Sequence, residues 1–381
     1  MIRMNRSFGP FCRVLLLLLA AALFPAGAAA HAAASSAGRA EDTAAQEIAE
    51  EEPDVKRIVL GHVGDSYEWH IVTAGGREWS LPLPVIVHSP SSGWHCFSAK
   101  RLRGGAEYEG LRIAADGDHA GKIVERQADG SDLRPLDLSI TKTVAGLLLN
   151  SALVVALVLG AARWYRGRKP DAAAPRGVVG LFETLVESLV DDLIEPCVGP
   201  SYRRFAPYLL TVFCFIFLNN LMGLIPFFPG GANVTGNIAV ALVLAVATFL
   251  VVNLSGSRHY WKDIFWPDVP TWLKVPVPII PLIELVGVFT KPFALMIRLF
   301  ANMLAGHAVI LSLTCVVFVT VKMGAAVNAS MTALSVLFSI FMNCLELLVA
   351  FLQAYVFTML SAVFIGLAQE RGGEADAGAE K

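Results

Sequence analysis

From Pro276 to about Val321, and again from Met331 to Ala368, the chain runs for about 40 residues on predominantly apolar side chains. At 1.5 Å per residue each run would make a helix about 60 Å long, twice the hydrocarbon thickness of a bilayer. No soluble fold of this size can bury two such surfaces. The composition agrees, with 55% hydrophobic and 16% charged residues and a mean hydropathy of +0.59. Each run is either one steeply tilted helix or two spans that fold back. Neither holds a convincing turn at its middle, and Lys291 and Arg298 fall where a straight helix is most buried. Two long tilted helices are therefore expected.

The rest of the chain is consistent with three shorter spans and an exported N-terminal region. In residues 1–30, Arg3, Arg6 and Arg13 precede the run VLLLLLAAALF, and Ala28-Ala29-Ala30 offers a cleavage site. This reads as a secretory signal, with an uncleaved first anchor as the alternative. Residues 31–55, Ala/Ser-rich and then acidic, are expected to be a disordered lead-in. Residues 31–138 together form an exported soluble region. From Val55 it is mostly β, because segments such as EWHIVTA, EWSLPLPVIVHS and GLRIAA are separated by turn residues. Six of the eight histidines lie between His31 and His119, but none has HxH or HxxH spacing, so no metal ligand is assigned. Cys12, Cys96, Cys197, Cys214, Cys315 and Cys344 are scattered and imply no disulfide framework.

The first firm span is Thr143–Ala162, within residues 139–165, and the basic string RWYRGRK after it marks a cytoplasmic end. Residues 176–196, overlapping the string GLFETLVESLVDDLIEPCVG that starts at Gly180, repeat apolar positions at three- and four-residue steps. They read as an amphipathic helix along the cytoplasmic interface; a soluble-domain helix is the alternative, though nothing nearby offers it a core. Residues 203–370 hold the remaining spans: Phe205–Phe228, Asn237–Leu254 and the two long runs, joined by the link KMGAAVNAS. GSRHYWKDIFWPDVPTWLK, basic and rich in Trp, fits a cytoplasmic loop with aromatic anchors. Residues 371–381 are a polar tail. The fold class is an all-α polytopic membrane protein with five transmembrane helices, the last two long and tilted. An interfacial amphipathic helix and a small N-terminal β-rich domain accompany them.

Several polar side chains interrupt the long runs. An ionisable residue at membrane depth costs about 2.5–3.5 kcal/mol on insertion scales, so it faces a protein interior or a water path. Glu284, Lys291 and Arg298 recur every seven residues, which at about 100° per residue places them on one stripe. His307, nine residues past Arg298, faces the opposite way. Arg298 stays charged and finds no carboxylate within a turn, so its partner must come from another helix or chain. Anchoring helix packing, or snorkelling to the headgroups, is the alternative. The last run has its own pair, Glu346 and Gln353, again seven apart. Glu346 suits either a proton relay or a hydrogen-bonded structural role. Asn302 lies close to the Arg298 stripe and Asn233 near the mouth of the third span; both can equally be helix-packing glue. Glu284 and Lys291 either line a channel or neutralise each other.

The string IRLFANMLAGH, with Glu and Lys fourteen and seven residues before the Arg, resembles the signature helix of subunit a of F-type ATP synthases. The resemblance is specific at Pro281–Ile310, good at Leu345–Ala368 and recognisable from about Leu136. HVGDSYEWHI and LDLSITK resemble the extended N-terminal region of that subunit in some bacterial groups. What the resemblance implies is a membrane stator of the bacterial inner membrane, its N-terminal region periplasmic and its C-terminus cytoplasmic. Its partners would be the c-subunit ring, the subunit b peripheral stalk and the remaining subunits of the complex, within the lipid bilayer. By the same resemblance Arg298 would face the carboxylate of each passing c-subunit and separate two offset half-channels for protons. His307, Glu346 and Asn302 would serve proton uptake, Glu284 and Lys291 release, and Gln353 would face the arginine helix. Asn233 matches a polar motif of the family. Many bacterial members carry Glu at the position of His307 and His at that of Glu346; this chain has the reciprocal, mitochondrial-like arrangement, with Gly223 where some members carry a carboxylate.

No Walker A or HExxH motif is present, nothing suggests nucleic acid, and no cofactor or enzyme activity of the chain alone is expected. Two rivals remain at this stage. A self-contained secondary transporter or channel would show internal repeats, of which there is no sign. A membrane scaffold or exported metal-binding protein would place the function in the histidine-bearing region.

Overall fold

A computed structural model describes residues 64–74, 77–114, 119, 121–127, 132–166, 175, 177–225, 230–266 and 279–369. The expected signal, the lead-in, part of the basic loop and the polar tail lie outside the described residues.

The N-terminal unit is built on strands with period-two burial. In β3 (Pro84–Ser89) Val85, Val87 and Ser89 point inward while Pro84, Ile86 and His88 point away. It pairs antiparallel with β4 (Gly93–Ser98), Val87 opposite His95, and with the short β8 (Leu136–Asp137). Two further sheets complete the unit: β1 (Glu68–Ala74) with β2 (Arg77–Pro82), and β5 (Leu111–Ile113) with β6 (Ile123–Arg126) and β7 (Asp132–Leu133). Tyr67, Val85, Val87, Phe97, Leu102, Leu111 and Ile123 form one small core. Among the described residues no group of three or more His, Cys, Asp or Glu comes together.

The unit is fastened to the membrane part at its exit. Asp65 accepts from the Thr143 amide at 3.0 Å, and the Lys142 amide donates to the Ser66 carbonyl at 2.8 Å. These bonds satisfy open amides at the start of α1 (Lys142–Arg166), a role usually taken by a local capping residue.

Five helical stretches are long and apolar enough to cross a membrane, among the described residues. After α1 comes a continuous helical path from Val178 to Leu224. It consists of α2 (Val178–Leu189), a π turn over Val190–Ile194, α3 (Glu195–Val198), a 3-10 turn at Gly199–Ser201 and α4 (Tyr202–Leu224). Leu189, Leu193, Ile194 and Val198 are buried while Glu187, Asp191, Asp192 and Glu195 are exposed, so the amphipathic pattern is used for packing. Gly199, at φ +74° and ψ −152°, interrupts that path with one non-helical residue, and the 3-10 turn that follows leads into α4.

Asn237 caps α5 (Ile238–Ser255), its side chain accepting from the Ala239 amide at 3.0 Å. Part of the expected loop that follows is helical instead: α6 (Arg258–Phe265), capped by Ser257 and supported by the i,i+4 pair His259–Asp263 at 2.6 Å. The helix-breaking prolines begin only beyond it.

The two long runs are indeed single helices, α7 (Ile279–Thr320) and α8 (Ala325–Gln369), of 42 and 45 residues. The link between them is shorter than KMGAAVNAS. A 3-10 turn at Val321–Met323 and Gly324, at φ +101°, suffice, and Thr320 donates to Asn328 on the returning helix. Ser335 donates to the Leu313 carbonyl further along the hairpin, and α8 ends against α5, where the Ser257 amide donates to the Ala368 carbonyl at 2.8 Å. The main core lies where α3, α4, α5, α7 and α8 meet, around Phe205, Leu209, Phe213, Leu299, Phe357 and Ile365.

One carboxylate in the N-terminal unit makes its stability acid-sensitive. Glu125 is buried and accepts from Ser89 at 2.7 Å and from Ser91. The two hydroxyl bonds hold its carboxyl below the ordinary value of 4.5. A folded-state pKa below the unfolded one contributes stability that is complete above about pH 4.5 and lost as pH falls through the folded value. Hydrogen-exchange protection factors at β3, β4 and β6 of the full chain, taken relative to the intrinsic exchange rate at each pH, should therefore fall on acidification. Replacing Ser89 and Ser91 by Ala should cost this unit about 1.5–3 kcal/mol per bond to the charged group.

Candidate functional site

Helix α7 carries the charged stripe as its seven-residue spacing requires. Glu284, Lys291 and Arg298 are all exposed, while Leu295, Met296, Leu299 and Met303 turn into the core. Phe289, Phe293 and Ile297 share the exposed side. Among the described residues, no hydrogen bond or ion pair engages Arg298. Asn302 is exposed one turn further along, with Ala301 and Ala305 beside it.

Towards the start of α7, Lys291 borders a cleft between α5, α6, α7 and α8. Thr248, Asn253, Tyr260, Leu295 and Phe364 also line it, and the Lys291 ammonium lies 5.5 Å from the centre of the Phe364 ring. Its volume of about 30 Å³ has room for about two waters. Glu284 lies nearby: burial pushes the Tyr260 hydroxyl above its ordinary pKa, and the Glu284 charge adds to the effect.

On the opposite flank of α7, His307 meets α4 and α8. Its Nδ1 is 2.7 Å from Glu346 Oε1 and 3.1 Å from the Met303 carbonyl, and its Nε2 is 3.3 Å from the Gly223 carbonyl. Glu346 is only 5% exposed, and neither of its oxygens has an aligned hydrogen-bond donor. The His307 contact is thus a close ion-pair approach across an imidazole that also addresses two backbone carbonyls. Of the two glycines beside the pair, only Gly306 is required by the close approach. A Cβ on Gly306 would come 2.8 Å from Glu346 Oε1, and one on Gly223 would sit 3.8 Å from His307 Nε2.

Gln353 is buried on α8. The hairpin contacts His307–Glu346 and Lys291–Phe364 bracket it, so it lies level with the turn of α7 that carries Arg298. Asn233 does not join these groups. Its Oδ1 accepts from the Gly236 amide at 2.9 Å, and its buried Nδ2 has no partner.

A polar network that the sequence reading left without a role supports the His307 pocket. Thr235 donates to Asn220 Oδ1 at 2.6 Å, and Asn220 Nδ2 donates to the Ala350 carbonyl at 3.2 Å. Asn150 of α1 donates to Asn219 at 2.9 Å, joining the first span to α4. Asn219, Asn220 and Thr235 are fully buried. The one signal was the Asn219-Asn220 pair inside an apolar span, since amides at membrane depth seek partners across helices.

These features define a polytopic helical membrane protein with a buried His–Glu pair, a small cleft beside Lys291 and an exposed arginine face. The chain belongs to the ATP synthase A chain family, whose model matches residues 148–366. A domain of unknown function (DUF8433) matches residues 58–138. ATP synthase subunit a 2 of Chlorobaculum tepidum is 47% identical over 242 residues, which is 61% of this chain and 64% of that protein. This chain thus spans just under two thirds of that relative. ATP synthase subunit a of Chloroherpeton thalassium is 40% identical over 247 residues, 63% of this chain and 70% of that protein. The subunit a of Anaeromyxobacter dehalogenans is 34% identical over 333 residues, 82% of this chain and 80% of that protein.

Asn220→Leu should strand the buried Thr235 hydroxyl without its acceptor, while the Ala350 carbonyl loses only its second, side-chain hydrogen bond. The expected loss is about 1–3 kcal/mol for the stranded hydroxyl, read as a lower midpoint of thermal unfolding of the detergent-solubilised protein.

Proposed function

We propose that this chain is the proton-conducting stator subunit a of a bacterial ATP synthase membrane sector. In this reading it takes up and releases protons for the carboxylates of a c-subunit ring, so that proton flow drives ring rotation and ATP synthesis. The subunit b stalk and the other subunits complete the assembly, and the chain alone makes or breaks no bond.

The observation that carries the reading is the arrangement along α7. The His307–Glu346 pair sits level with the end of α4, beside the N-terminal unit, whereas the Lys291 cleft sits at the far ends of α5 and α8. Arg298 lies between them, about 10 Å from Lys291 and about 13 Å from His307 along the helix axis. The two wet or titratable places therefore open towards opposite ends of the bundle, and a fixed cation separates them.

Arg163, Arg166, Arg203, Arg204, Arg258 and Lys262 gather at the end away from the N-terminal unit. Positive charge marks the cytoplasmic side, which supports a periplasmic N-terminal unit and His307 pocket and a cytoplasmic Lys291 cleft. A proton arriving from the periplasm passes between the His307 imidazole and the Glu346 carboxyl, which stand at hydrogen-bond distance. It then loads a ring carboxylate. Once the ring has turned, the Arg298 guanidinium favours the ionised carboxylate that comes to face it, and the released proton leaves past Lys291 and Glu284. Gln353, level with Arg298, offers a neutral amide that can hold the guanidinium without neutralising it. Asn302 and the small Ala301 and Ala305 allow a ring helix to approach. Each charge moved releases about 2.3 kcal/mol per 100 mV of membrane potential. Asn233 shapes the loop that leads to this periplasmic pocket.

Arg298→Ala should abolish coupled, ATP-driven proton pumping in membrane vesicles while the complex still assembles. Near-normal pumping by an assembled Arg298→Ala complex would reduce Arg298 to a packing residue and remove the proposal. Gly306→Ala should lower pumping by about tenfold or more, because ångström-scale misplacement of reacting groups carries penalties of that order.

A further inference from the structure

The N-terminal unit does more than trail from the first span. Trp69 is buried, and its Nε1 donates to the Gly230 carbonyl at 3.2 Å across the boundary between the β unit and the helices. It packs with Ala232 and Val234, both buried, in a cluster that also includes Ala145 and Leu147 of α1 and Val240 of α5. The loop is clamped from its other side too: a Cβ on Gly146 of α1 would come 2.7 Å from the Ala232 Cβ. The Gly231 amide returns to the Met222 carbonyl at 3.2 Å, holding the loop against the end of α4. The next residue after the clamp, Thr235, starts the hydrogen-bonded path to Asn220 and the Ala350 carbonyl. Asn220 lies one turn before Gly223, whose carbonyl faces His307, and Ala350 lies one turn after Glu346. The clamped loop therefore reaches both helices that hold the titratable pair against α7.

We propose that the β unit is the outer wall of the proton-loading path and that Trp69 is the positioning residue that pins the 230–237 loop over it. The proposal rests on the function proposed above. The unit is well suited to the task because its own attachment is stiff: Asp65 and Ser66 bond to the first amides of α1 only a few residues before Trp69. Movement of the indole would release Ala232 and Val234, and with them the Thr235 hydroxyl that orients Asn220.

The test uses the assembled complex in inverted vesicles stripped of the catalytic sector, with passive proton conduction as the readout. Trp69→Ala should lower conduction by about threefold to tenfold, the factor that losing one buried hydrogen bond's free energy corresponds to. Trp69→Phe, which keeps a buried ring but removes the indole N–H donated to Gly230, should show most of the same loss. Gly146→Ala moves the same loop from the α1 side and should lower conduction similarly, which keeps the test open if Trp69→Ala does not assemble. A second readout places a Val234→Cys thiol in the loop. In right-side-out vesicles with Cys96→Ser as the background, a membrane-impermeant maleimide supplied from the periplasmic face should label it beside Trp69→Ala and not beside the native Trp69. Normal conduction and an unlabelled Cys in assembled Trp69→Ala, with His307→Ala blocked, would overturn the wall while leaving the proposed function standing. Normal conduction in His307→Ala as well would overturn both.

Discussion

The antiparallel pairing of α7 with α8 is the contact on which the rest of this structure depends. Each helix is too long to stand upright in a bilayer, and each holds polar side chains that hydrocarbon would reject. Pairing them turns one flank of each inward, so that His307 and Glu346 meet away from lipid, and leaves the opposite flank of α7 with its charges outward. The shorter spans serve this pair. Helix α4 brings the Gly223 carbonyl to the imidazole, α5 and α6 enclose the Lys291 cleft, and α3 packs closely enough on α8 that Gly366 has no room for a side chain beside the Cys197 carbonyl.

Most of the helical architecture was legible because it depends on local pattern. Run length distinguished α7 and α8 from ordinary spans, and the seven-residue spacing of Glu284, Lys291 and Arg298 placed them on one face before any partner was known. The nine-residue offset likewise turned His307 the other way. What could not be read was long-range pairing. Nothing local says that Asn220 meets the Ala350 carbonyl, that Asn150 finds Asn219, or that an indole near the start of the chain reaches Gly230. Asn233, readable equally as part of the polar path or as helix-packing glue, accepts from the Gly236 amide of its own loop.

The link between the two long runs was over-read. Residues 325–330 join α8 rather than a link, since Gly324 alone supplies the backbone reversal. The N-terminal unit showed its strands clearly but not its docking, which uses only a handful of apolar residues and one indole. A unit with so small a core is held partly by what it is attached to, and its order and that of the 230–237 loop are coupled.

Gly223 has a consequence for how such sites diversify. An added Cβ there would lie in open contact range of the imidazole, not in collision with it. Position 223 therefore has space for a Cβ from α4 beside the two groups supplied by α7 and α8. Three helices thus border one shared space, and a side chain could enter it from any of them on the backbone already present.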